Sequence, residues 1–278
     1  MGTSQSNGGP GGGVPLVPPW VPDIEPPGVP RNPVELPVAP ATPNPVPQPA
    51  QLAPSGRFNG TRRSLGSFAR SGSEREMRRG LGHYSRSGYG GTGNATRRMG
   101  GTSATAGALY RALGGGSGRG SAAAADGVFD PAVLAGRSAE EVMNAVVDAV
   151  RPIDGTLDAE ASRAAVVDAL SELLTRYPDA DLLNLTDDQR ALAVERYTAN
   201  DVFRRIDLDV GQSIREKAQT ASSALSRLKQ VRDYVRETVA VSFRRLREAG
   251  RTLTAGRVEQ FVRDAIQETF EVFEGFAE

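Results

Sequence analysis

The placement of proline constrains this chain more than any other feature: 16 of its 19 prolines fall within residues 1–56. Each one fixes φ at roughly −65° and removes a backbone N–H, so PLVPPW, PPGVP and PNPVPQP disfavour helix and sheet alike. Extended polyproline-like backbone, interrupted by the glycines of GGPGGG, is the expectation. At about 3.1 Å per residue such a tract could reach on the order of 150 Å. Residues 1–56 therefore read as a long disordered Pro/Gly-rich N-terminal arm with no part in a core.

Charge divides the rest of the chain. The formal net charge of zero is the sum of −2 over residues 1–56, +10 over 57–120 and −8 over 121–278. The middle value comes from 12 Arg against Glu74 and Glu76, the last from 20 basic and 28 acidic side chains. Residues 57–120 also hold 17 glycines, yet apolar pairs recur there at helical spacing: Leu65 with Phe68, Leu81 with Tyr84, Leu109 with Leu113. Three short helices are expected. Each would be marginal alone, because nucleation is costly and Gly weakens a helix by about 1 kcal/mol per site. They should dock on the C-terminal region or on a partner. Residues 121–278 read as a helical domain. Ser138 with Glu141 and Thr186 with Gln189 are capping-box patterns, each followed by an apolar face at helical period. A long helix from about Ser222 and a last one carrying Phe261, Ile266, Phe270 and Phe273 complete an all-α class.

Composition removes several chemistries. With no cysteine there is no disulfide, thiolate metal site or Cys nucleophile, and with His83 as the one histidine no His-based metal cage can form. Neither a metal nor a cofactor is expected, and the chain reads as a non-enzyme. Gly114–Gly116 and Gly118 lack the Gly-Lys-Ser/Thr ending of a phosphate loop, and no acidic pair has general acid–base character. No apolar run approaches the roughly 18 residues of a membrane span, and a charged-then-apolar leader is missing, so a cytoplasmic protein is expected.

Three candidate sites remain. Removal of Met1 would expose the α-amine of Gly2, whose pKa of about 7.7–8 leaves a useful nucleophilic fraction at neutral pH. The start also matches a weak myristoylation pattern, and a flexible start without a role is the competing reading. Thr3, Ser4, Gly8, Gly9, Pro10, Gly11, Gly12 and Gly13 are slim enough to thread a narrow active site. Pro15, Pro18, Pro19 and Trp20 form a pre-extended docking segment with one large aromatic. Finally, Arg62, Arg63, Arg70, Arg78, Arg79, Arg97 and Arg98 with Phe68, Tyr84 and Tyr89 fit a basic-plus-aromatic surface for single-stranded nucleic acid. The competing reading pairs these arginines with the acidic C-terminal region or with an acidic partner.

The blocks MGTSQSNGGPGGGVPLVPPW, RFNGTRRSLGSFARSG, LGHYSRSGYGGTGNATRRMG and ALYRALGGG resemble the QatB family of the Qat anti-phage defence systems of bacteria. The opening block is the most specific of them. The resemblance implies a non-catalytic partner encoded beside an ATPase, a QueC-like enzyme and a TatD-like nuclease. It further implies that Gly2 replaces ammonia as the acceptor for a 7-deazaguanine carboxylate activated by the QueC-like enzyme. Partner binding is then expected at Thr3–Gly13, Pro15–Trp20 and the Arg-rich segment. A nucleic-acid adaptor that recruits the nuclease and an unmodified assembly scaffold are the alternatives.

Overall fold

A computed structural model describes residues 13–18, 21, 52–114 and 131–277. Among these the chain is all-α, without a strand. The Arg/Gly-rich stretch forms four helices and a π-helical turn where three helices were expected. These are α1 (Asn59–Ser71), α2 (Glu74–His83), the π turn Tyr84–Gly88, α3 (Thr92–Arg98) and α4 (Gly100–Ala112). Gly72 closes α1 in the left-handed region (φ 73°), its N–H donating to the Phe68 carbonyl. All three apolar pairs seen in the sequence are buried.

The one-turn helix α5 (Pro131–Leu134) precedes α6 (Ala139–Val150), which opens on the capping box of Ser138 and Glu141. Then come α7 (Leu157–Arg176), capped by Thr156, and α8 (Asp187–Val210), capped reciprocally by Thr186 and Gln189. A short α9 (Gln212–Lys217), absent from the sequence reading, leads to α10 (Ala221–Glu248) and α11 (Val258–Glu274).

One core joins the two halves. Phe58, Phe68, Leu81 and Tyr84 belong to the same buried cluster as Val194, Val202, Phe243, Phe261 and Phe270. Helix α4 packs against both α8 and α11, while α1 lies on α9 and α2 on α11. Glycine makes these approaches close. A Cβ at Gly82 would stand 2.6 Å from the Ala277 nitrogen and 2.8 Å from the Phe273 carbonyl oxygen. The glycines that would weaken isolated helices here let helix backbones touch, and the lost dispersion and burial are regained between helices.

The arm departs from the expectation that it makes no core contact. Pro15 and Leu52 form an isolated antiparallel bridge. The Gly13 N–H donates to the Ala53 carbonyl and the Ala53 N–H to the Val14 carbonyl, both at 2.8 Å. Pro15 has no donor to lose, and the pairing asks it for none. Leu16, Val21 and Ala53 are 8 %, 8 % and 3 % exposed. An apolar proline-rich segment still gains by burying Leu and Val side chains, each worth about 1.5–3 kcal/mol when fully covered.

Candidate partner interface and the anchored arm

The arm is received by small residues. Leu16 reaches Gly90, where a Cβ would stand 4.0 Å from Leu16 Cδ1. Val21 lines a cleft of about 190 Å³ with Gly101, Ala104 and Thr105 of α4, Val150 and Arg151 at the end of α6, Asp158 of α7 and Arg205 of α8.

Behind this cleft lies a buried polar network. Arg98 Nη2 donates to Asp158 Oδ1 at 2.8 Å, and Arg205 Nη1 is 3.1 Å from Asp158 Oδ2. Arg205 Nε donates to Asp201 Oδ2 at 3.1 Å, and Thr102 Oγ1 donates to the same oxygen at 2.5 Å. Two guanidinium groups thus meet two carboxylates, which is how buried charge is kept affordable. Burial alone would lower the Arg98 pKa, but the hydrogen bond to Asp158 and the surrounding negative charge hold it above its ordinary value. The network ties α3, α4, α7 and α8 together directly beneath the arm.

A second cluster sits deeper. Tyr84 and Tyr89 donate to Asp209 Oδ2 at 2.8 and 2.6 Å. Burial raises the Asp209 pKa, with Arg98 and the two tyrosine hydrogen bonds opposing it. Burial likewise raises both phenols, Tyr84 well above its ordinary value. Arg57 lies over the rings of Phe58 and Tyr89, 4.8 and 5.2 Å from their centroids.

The residues singled out in the sequence therefore separate. Gly2, Thr3, Ser4, Gly8, Gly9, Pro10, Gly11, Gly12, Pro19 and Trp20 lie outside the described residues. Gly13, Pro15 and Pro18 are in the anchored segment. Arg63, Arg70 and Arg97 are exposed and Arg62 is half-buried. Phe68 is a correction: it is fully buried beneath Arg227, whose guanidinium is 5.5 Å from the ring, and so offers nothing to a partner. Arg98 is likewise spent on Asp158. Tyr84 and Tyr89 belong to the core, so the basic-plus-aromatic surface for single strands loses its aromatic part. The pairing reading holds at two points, Arg98 with Asp158 and Arg111 with Glu259. Sequence reasoning missed Thr102, Asp201 and Arg205. Asp201 and Arg205 stand at i, i+4 on α8, a spacing that pairs charges, but burial of the pair leaves no mark in the sequence.

Among the described residues no group of three or more His, Cys, Asp or Glu is placed to hold a metal, and no helix is long and apolar enough to cross a membrane. What the geometry defines is an all-α protein whose N-terminal arm is strapped to a helical body over a charge-balanced polar network. The chain belongs to the QatB family: the family model described as Qat anti-phage system associated protein QatB matches residues 90–273, well over half of its length. It is thus a component of an anti-phage system. Comparison with curated proteins and with solved structures gives no match. The body that receives the arm at Gly90, Gly101, Ala104, Thr105, Val150, Arg151, Asp158 and Arg205 falls inside the family match, and the arm falls outside it.

Proposed function

We propose that this chain is a non-catalytic member of its anti-phage system that binds a QueC-like enzyme and presents Gly2 for modification by a 7-deazaguanine-type nucleobase. The associated ATPase and TatD-like nuclease are further partners in this reading. Before the transfer step the nucleobase carboxylate attacks the α-phosphorus of ATP in the partner enzyme, pyrophosphate leaves, and an acyl adenylate forms. The neutral Gly2 amine attacks the acyl carbon, AMP leaves, the nitrogen gives up a proton, and an amide bond remains.

The anchor at Gly13 is the observation that supports this most. Gly13 lies eleven positions after Gly2, so the amine can lie at most about 40 Å from the pin at 3.3–3.6 Å per residue. That leash is far shorter than the one inferred from residues 1–56 as a whole. A short leash keeps the amine at high local concentration around an enzyme seated on the body. Gly13 itself has φ 79° and open space where a side chain would stand, which suits a point where the chain leaves the body.

The test is intact-mass measurement of the chain co-expressed with its QueC-like neighbour, beside a Gly2→Trp variant. The native chain should gain the mass of one amide-linked nucleobase. The variant should gain nothing while still co-purifying with the enzyme. An unmodified native chain in a stable complex would leave the scaffold reading standing instead.

A further inference from the structure

Many arginines of this protein meet a carboxylate, among them Arg151 with Asp154, Arg163 with Asp148, Arg190 with Asp187, Arg204 with Asp168, Arg236 with Glu172 and Arg251 with Asp264. One face gathers several that do not. Arg75, Arg79, His83 and Arg86 follow one another at i, i+4, i+8 and i+11 along α2 and the π turn, which places them on one side of about 16 Å of helix. Helix α1 joins them, because Gly60 abuts His83 (a Cβ there would stand 3.2 Å from His83 Cγ) and Arg63 is one turn further along. Arg63, Arg75, Arg79 and Arg86 are exposed, and among the described residues none of the four forms an ion pair with a carboxylate. Arg75 and Arg79 also line a groove of about 450 Å³ with Glu74, Arg78, Gly275 and Phe276. Partial burial and then Arg79, Arg86 and Arg63 depress the His83 pKa, with Glu76 acting the other way, so the imidazole adds a neutral hydrogen-bonding group.

We propose that Arg63, Arg75, Arg79 and Arg86 form a surface for the phosphate backbone of duplex nucleic acid. Guanidinium groups match phosphate oxygens in pairs, and this whole region uses arginine without a single lysine. The nearby rings of Phe58, Phe68, Tyr84 and Tyr89 are buried, and the half-buried Phe276 of the groove already has the Arg78 guanidinium over it, 5.4 Å from its centroid, so the face lacks the row of free rings a single strand stacks on. Among the described residues the exposed large apolar side chains are Val14, Leu52, Val133, Ile153, Leu157 and Leu225, none of them on α1, α2 or the π turn. A protein interface wants an apolar centre, whereas a phosphate backbone does not. This surface is independent of any chemistry at Gly2.

Fluorescence anisotropy of the full chain with a short labelled duplex of random sequence tests it, between about 50 and 200 mM salt. The native chain should bind with steep salt dependence. R63Q/R79Q/R86Q should lose at least about tenfold in affinity and flatten the log–log salt slope by about three. R63K/R79K/R86K should retain most of the binding, which separates charge from folding. Absence of binding at low salt would overturn the proposal, as would a glutamine variant that binds like the native chain. So would an equal loss in R244Q/R245Q/R247Q, three exposed arginines on α10, since that would mark general charge attraction. Competition by a polyglutamate peptide as strong as that by duplex DNA would assign the face to an acidic protein instead.

Discussion

Asp209 carries the most consequential single carboxylate in the fold, because it is the shared acceptor of two fully buried phenols, Tyr84 and Tyr89. Replacing it with Asn keeps an oxygen for those hydroxyls, whereas Leu leaves both without a partner at about 1–3 kcal/mol each. Urea denaturation should therefore rank Asp209→Leu well below Asp209→Asn in stability. The pH dependence has a definite sign. The folded pKa of Asp209 lies above its ordinary 3.8, so the folded state holds the proton more tightly than the unfolded one. Its contribution is present at low pH and falls as pH rises through the raised value, and Asn should abolish that fall. Equal stability of the two variants would show that the phenols find other partners. The aromatic residues of the Arg/Gly-rich stretch stood open in the sequence between an apolar helix face and a nucleic-acid surface for a plain reason: the acceptor that draws Tyr89 inward lies 120 positions away. Nothing local distinguishes a ring bound for a core from one offered to a base.

At the level of the helix, legibility follows the range of the interactions. The caps of α6 and α8 rest on residues three apart and were readable. The Arg/Gly-rich helices were only half readable, because their glycines weaken local propensity while enabling distant contact. At Gly82 the neighbour is rigid backbone of the chain's C-terminal turn. Gly82→Ala, which would favour an isolated α2 by about 1 kcal/mol, should here destabilise the protein by about 1–3 kcal/mol through forced separation of α2 from α11. A thermal midpoint at or above that of the native chain would mean that the two helices are not held in this register. Helix α9 escaped notice because its six residues carry a single buried apolar side chain, Ile214, too little for a periodic signal.

Across the whole molecule, the charge division visible in the sequence is used sparingly. It brings Arg98 to Asp158 and Arg111 to Glu259, and leaves Arg63, Arg75 and Arg79 of α1 and α2 exposed without a carboxylate partner among the described residues. That the two halves share one core was one of two dockings the sequence left open, since the packing of α4 between α8 and α11 is a matter of long-range fit. The join at Ala53 has a consequence of its own. With Gly13 paired to Ala53, the length of chain between those two residues adds nothing to the distance between the mooring and Gly2. A Gly-Ser insertion after Glu35 should leave the rate of Gly2 modification unchanged, while the same insertion after Gly9 should alter it. Equal sensitivity at both places would mean that the mooring slips in solution.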